Sequence, residues 1–194
     1  MRIGVNYKNL FIYIITIYMN NIVRHGIFIA IYAIVYSMLE IEIEGNAGWA
    51  KNLPTVASGI GPLTMYHLFM NIIVILTISY SLYSKTYSNW IVLYFIIAWF
   101  LIEDFMWFCL SPFYTLKKYS QENIAWHGKQ PWILHSPLHN WIGISVMFLI
   151  AMFSKNRYVL FQSFIAMSLI VLGVIILSPI YHNWYIQTHK RKYK

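Results

Sequence analysis

The sequence predicts an all-α fold: a polytopic transmembrane helix bundle of five spans, six if an N-terminal piece also crosses, in a single domain over residues 1–194. Three observations predict it. Apolar residues make up 59% of the chain and charged residues only 10%, against roughly a quarter charged in a soluble domain. The mean hydropathy is +0.57. The apolar residues also fall in runs long enough to cross a hydrocarbon slab about 30 Å thick. So much apolar surface must face something other than water, which excludes a disordered chain, a nucleic-acid-binding domain and an ordinary soluble enzyme.

Residues 10–43 are apolar except mainly at Asn20, Asn21, Arg24 and His25. A single helix there would be about 50 Å long, too long for one crossing. The segment therefore reads as an N-terminal interfacial helix over 10–19 and a first span over 22–39. The second span covers 60–83, with Gly61-Pro62 as its start signal. The third covers 90–110 and stops at Ser111-Pro112. The fourth covers 138–153, with Ser136 as N-cap and Pro137 in the first turn. A polar turn at 154–157 leads to the fifth, 159–181, in which Gln162 reads as a helix–helix hydrogen-bonding group.

Trp49, Trp90, Trp107, Tyr181, Trp184 and Tyr185 sit at the ends of these runs and read as an interfacial aromatic belt. Cys109, the only cysteine, lies inside an apolar run and reads as a small buried group. The formal charge of +8 is carried in loops and at the ends, a pattern for headgroups rather than nucleic acid. The expected setting is the cell membrane, multi-pass, with the basic tail and hence the C-terminus on the cytoplasmic side.

The acidic residues carry the functional signal. There are six, and five of them (Glu40, Glu42, Glu44, Glu103 and Asp104) lie within or at the end of apolar runs. Charge inside a bilayer is expensive, so such groups face a bundle interior or a wet cavity. Glu103 and Asp104 are adjacent, so their carboxylates repel unless a cation or donors neutralise them. Glu40 and Glu44 share a face if the helix continues through them, with Glu42 pointing away; if the chain has turned to strand, all three align. Gly45 then ends the element.

His67 lies early in the second span and shares a face with Asn71 at i,i+4. His127, His135 and His139 fall within 13 residues of one another, in a chain with seven histidines. Because spans alternate, the exits of the first and third spans and the start of the second and fourth lie on one membrane side. Every acid except Glu122, and His67, His127, His135 and His139, therefore gather at one membrane face. The alternative for each is structural: a hydrogen bond between helices, or a side chain reaching headgroup water.

Carboxylates beside imidazoles suit a divalent metal such as iron, manganese or zinc, and equally metal-free general acid–base work. In the metal reading Glu103, Asp104, His67, His127, His135 and His139 are candidate ligands, with Glu44, Glu40 and Asp104 as catalytic carboxylates. No histidine-box cluster, Cys-x-x-Cys, His-Glu-x-x-His or phosphate-cradling glycine loop occurs in the sequence.

The stretches Glu44-Gly45-Asn46-Ala47-Gly48-Trp49-Ala50 and Glu103-Asp104-Phe105-Met106-Trp107-Phe108, with Ala125-Trp126-His127 beyond, resemble small archaeal and bacterial integral-membrane proteins of uncharacterised function. The resemblance implies that Glu44, His67, Glu103, Asp104 and His127 form one unit, and implies no activity.

The leading expectation is a membrane metalloenzyme acting on a lipid, isoprenoid, quinone or other apolar substrate. The alternatives are a small non-catalytic subunit of a larger membrane complex, a metal-free lipid isomerase or hydrolase, and a proton or cation pathway. The crowding of polar groups at one face argues against a pathway, which needs them at all depths. The expected partners are the lipid bilayer, an apolar substrate and other membrane subunits, with no nucleic acid.

Overall fold

A computed structural model describes residues 20–46, 48, 50–83, 87–124 and 131–189. Five helices carry the fold among the described residues: α1 (Asn21–Glu44), α2 (Met65–Tyr83), α3 (Asn89–Leu110), α4 (Leu138–Phe153) and α5 (Arg157–Thr188). The described part of the connection between α3 and α4 holds a 3-10 turn (Leu116–Lys118) and two two-residue strands, β1 (Trp132–Ile133) and β2 (Ser136–Pro137). The strands pair antiparallel, Trp132 opposite Pro137. The interfacial helix expected over 10–19 lies outside the described residues, as do His127, Trp49 and the basic tail beyond His189.

Among the described residues four helices, α1, α2, α3 and α5, are long and apolar enough to cross a membrane. The fourth expected span, α4, has 16 residues, about 24 Å of helix against a slab of about 30 Å. The outward faces are apolar, with Phe28, Ile31 and Val35 on α1, Ile73 and Leu76 on α2, and Ile165, Leu169 and Ile176 on α5 all exposed.

The helix boundaries differ from the sequence expectation for local reasons. Asn20 caps α1, its side chain accepting the Ile22 N–H at 2.9 Å. The helix then runs through Glu40, Glu42 and Glu44, because nothing between Leu39 and Glu44 breaks it. Gly45 (φ 65°) ends it, its N–H bonding to Ile41 O. The strand alternative is thereby set aside. Gly61-Pro62 does not begin α2. Gly59 and Gly61 both have positive φ and fold 56–64 into a small closed loop, with Met65 N–H on Val56 O at 2.8 Å. At α4, Pro137 is itself the cap residue, and Ser136 lies one position before it. The last helix extends past 181 to Thr188, held there by buried Tyr185.

Packing explains the arrangement. The inner face of α1 presents Gly26, Ala30, Ala33 and Ser37, all buried, and small residues let helix backbones approach closely. α1 packs most extensively on α3 and α5. A Cβ at Gly26 would collide with Ser163 Oγ of α5. Ser163, fully buried, is thus the polar residue at the helix contact, and Gln162, the expected one, is exposed. Ser37 Oγ lies 2.9 Å from Ala33 O and 3.0 Å from Glu103 O, tying α1 to α3. Tyr94 OH donates to Leu160 O (3.0 Å), tying α3 to the start of α5.

Two apolar clusters result. One, around Ile29, Ala33, Val74, Phe95, Trp99 and Met167, fills the middle of the bundle. The other, around Ile41, Met106, Trp107, Cys109, Ile124 and Tyr185, closes the end where α1, α3 and α5 finish. Trp107 and Tyr185 therefore belong to this second core and not to an aromatic belt, whereas Trp90 and Trp184 are exposed as expected. Cys109 is buried and free.

Candidate functional site

The site forms where α1 and α3 end and α2 and α4 begin. Continuation of α1 to Glu44 puts Glu40 and Glu44 one turn apart on the same face. The cavity they reach holds about 250 Å³. Its lining includes Glu40, Glu44, His67, Asn71, Glu103, Asp104, His139 and Asn140, backed by Leu63, Phe100, Leu101, Trp107 and Phe108.

Glu44 is held from two sides. Its Oε1 accepts the backbone N–H of Ala50 at 2.8 Å and lies 3.5 Å from His67 Nε2. The other ring nitrogen of His67, Nδ1, is 2.8 Å from Thr64 Oγ1. With the Thr64 hydroxyl donating there, the ring proton sits on Nε2, facing Glu44. Both side chains are deeply buried, at 3% and 11% exposed. A carboxylate at the C-terminal end of a helix is disfavoured by the helix dipole; the amide of Ala50 and the imidazole offset that.

Adjacent residues on a helix point about 100° apart, and Glu103 and Asp104 divide accordingly. Glu103 turns toward Glu40, and the two carboxyl groups lie side by side in the cavity wall. Asp104 Oδ2 lies 3.5 Å from His139 Nε2 in the first turn of α4. This pair is more open, with His139 41% and Asp104 27% exposed. The cavity thus has a closed end at Glu44–His67 and an open end at Asp104–His139.

Two phenols outside the spans feel this environment. Burial pushes Tyr119 up to about 12, with Ser136, Asp104, Cys109 and Asn140 as lesser influences. Burial also raises Tyr114, and the Glu44 carboxylate adds to that.

Of the residues expected at the site, Glu40, Glu44, His67, Glu103, Asp104 and His139 line this one cavity. His135 does not: it is exposed in the turn between β1 and β2, at φ 61°. His127 lies outside the described residues. Glu42 points away, as helix geometry requires, and meets His189 Nε2 at 2.9 Å. Among the described residues, no group of three or more His, Cys, Asp or Glu side chains is close enough to hold a metal ion; the carboxylates and imidazoles stand as separate pairs.

Sequence reasoning missed Asn140, Thr64 and the Ala50 amide. Asn140 adjoins His139 in the first turn of α4, a signal that was present. Nothing in sequence spacing flags the Ala50 N–H, because it depends on how the loop after Gly45 folds back. The Glu42–His189 contact, across 147 positions, is equally invisible to local pattern.

The fold and the cavity are consistent with a helical integral-membrane protein. No family model, curated protein or solved structure matches the chain.

Proposed function

We propose that this chain is an integral-membrane enzyme whose carboxylate–imidazole cavity, near one membrane face, performs proton-transfer chemistry on a lipid-like or other apolar substrate. The reading includes α4 as a fifth, short crossing and an N-terminal interfacial helix. One observation carries it: six ionisable side chains from four helices converge on a single cavity at the ends of apolar helices. Such groups are costly at membrane depth, and helix contacts alone need far fewer of them.

Each imidazole has a carboxylate partner 3.5 Å away, the arrangement that orients a histidine as acid or base. His139, the more open of the two, is the proton acceptor for a substrate in the cavity, and Asp104 orients it. Glu40 and Glu103 line the same cavity beside them. Glu44 and His67 form the closed end.

A metal form of the reading uses the same residue types. Carboxylate and imidazole suit divalent iron, manganese or zinc, with Glu103, Asp104, His67 and His139 drawn from the cavity and His127 from the loop; His135, which lies outside the cavity, takes no part. A bound metal would supply a Lewis acid there. The resemblance to small archaeal and bacterial integral-membrane proteins belongs to this proposal and adds no activity.

The test is to reconstitute the detergent-purified protein in vesicles of extracted bacterial lipid and follow lipid masses over time, beside elemental analysis of the same sample. A lipid product that forms with wild-type protein, and forms about a hundredfold or more slower with His139→Ala, supports the reading. Stoichiometric metal lost in Glu103→Gln or His67→Ala selects the metal form of it. Unchanged lipids together with a stoichiometric co-purifying membrane protein would overturn it in favour of the small-subunit reading.

A further inference from the structure

A second, apolar space adjoins the polar cavity. A groove of about 420 Å³ runs between α3, α4 and α5, and Leu101 and Asn140 line both spaces. We propose that the groove binds the single hydrocarbon chain of a lipid whose head group donates hydrogen bonds and carries no negative charge, a long-chain alcohol or amine. The head lies at Asn140, in the mouth of the polar cavity. This inference rests on the proposed function and names its substrate class.

The shape of the groove comes from how α4 packs. At Gly143 a Cβ would stand 2.9 Å from a Leu101 methyl, so α4 sits tightly on α3. Its contact with α5 is lighter, which leaves a wedge lined by Ile102, Met147, Met167, Leu172 and Ile175. Along α5 the lining runs from Phe164 to Ile175, about 16 Å of helix. That is roughly half of a 30 Å hydrocarbon slab, or one leaflet. The two methionines give the wall side chains that adapt to a flexible chain.

The head group is specified by Asn140. It is 7% exposed, and its Nδ2 donates to Tyr119 OH (3.1 Å) and Ser136 Oγ (3.2 Å). Its Oδ1 is buried, and no donor among the described residues reaches it. A buried amide oxygen without a donor is a standing penalty, which a hydroxyl or ammonium placed at the junction would remove. The cavity beyond contributes four carboxyl groups against two imidazoles, so an anionic head is disfavoured by like charge.

The experiment uses three lipids of equal chain length, octadecanol, octadecylamine and octadecanoic acid, each with a mid-chain diazirine. Each is photolysed with the full-length protein in vesicles, and adducts are mapped by peptide mass spectrometry. The expected result is saturable labelling by the alcohol or the amine on the peptides of Met147, Met167 and Ile175. The ratio of alcohol to amine labelling assigns the head. Asn140→Leu should weaken that labelling about fivefold, the worth of one hydrogen bond, without changing labelling by the acid. Met167→Trp, which fills the groove and leaves Asn140 intact, should abolish it. Equal labelling by the acid, or adducts spread evenly over the outward faces at Ile31 and Leu76, would overturn the proposal. Labelling needs no turnover, so an inert protein that binds the alcohol sinks only the enzyme reading. An active one with no groove adducts sinks only this one.

Discussion

Glu44 shows how single side chains hold the site end together. Its carboxylate satisfies the Ala50 amide and faces His67 in a nearly dry setting. Glu44→Ala removes the acceptor of the buried Ala50 amide and the carboxylate facing His67, and should lower stability by about 1–3 kcal/mol. Glu44→Gln keeps an amide oxygen for Ala50 and should lose visibly less. Thermal unfolding in detergent ranks the two, and equal losses would mean that the Ala50 bond contributes little. Tyr119 supplies a pH signature at the same scale. Its phenol is pushed up to about 12 by burial, whereas an unfolded tyrosine ionises near pH 10. The neutral form is therefore favoured by folding. That contribution is complete below about pH 10 and lost as pH rises through about 12. Tyr119→Phe should flatten the stability profile in that window, and an unchanged profile would assign the slope to another group.

Between α1 and α5, the backbone approach depends on one glycine. Gly26→Val places a side chain where Ser163 Oγ already lies. Overpacking of this kind costs about 1–3 kcal/mol. Ser163→Gly in the same chain should recover most of the loss, and strictly additive effects in a double-mutant cycle would contradict direct contact. Helix α5 carries a second local device. Pro179 has no N–H, so Ile175 O loses its usual helical donor, and Ser178 Oγ donates to that carbonyl at 2.9 Å. Ser178→Ala should destabilise by about 0.6 kcal/mol, as for an average hydrogen bond in a membrane helix. In a Pro179→Ala background, where residue 179 can donate again, the same substitution should have no effect. Urea or thermal unfolding of the four combinations tests it.

The bundle as a whole has a polarity that the contacts define. Glu42 meets His189 and Cys109 O meets His182 at one end, while Ile22 O meets Ser163 at the other. α1, α3 and α5 therefore run in parallel, with α2 and α4 returning between them. This places Asn52, Asn123 and Thr188 at the site end. Introduced singly as cysteines in a Cys109→Ala background, all three should react with a membrane-impermeant maleimide from one side of sealed vesicles. Opposite accessibility of any one of them would break the alternation of α2 and α4, and with it the fifth crossing.

Much of this was legible in the residues alone. Long apolar runs with few charges can only be helices in an apolar medium, since backbone groups there must be satisfied internally; the starts of α3 and α4 and the end of α4 follow closely. Alternation of crossings was enough to bring Glu40, Glu44, His67, Glu103 and Asp104 to one end, because that inference uses connectivity and no side-chain geometry. Local pattern could not decide how the acids sort among partners. Glu44 goes to His67, Glu103 to Glu40 and Asp104 to His139 because helix rotation and the fold of the loop after Gly45 set those distances. The same holds for Ser163 in place of Gln162 at the α1–α5 contact. Adjacent residues on one helix differ only in azimuth, and azimuth is chosen by the neighbouring helix. The Asn140 junction and the groove behind it are likewise properties of three helices packed together, which no single stretch of sequence contains.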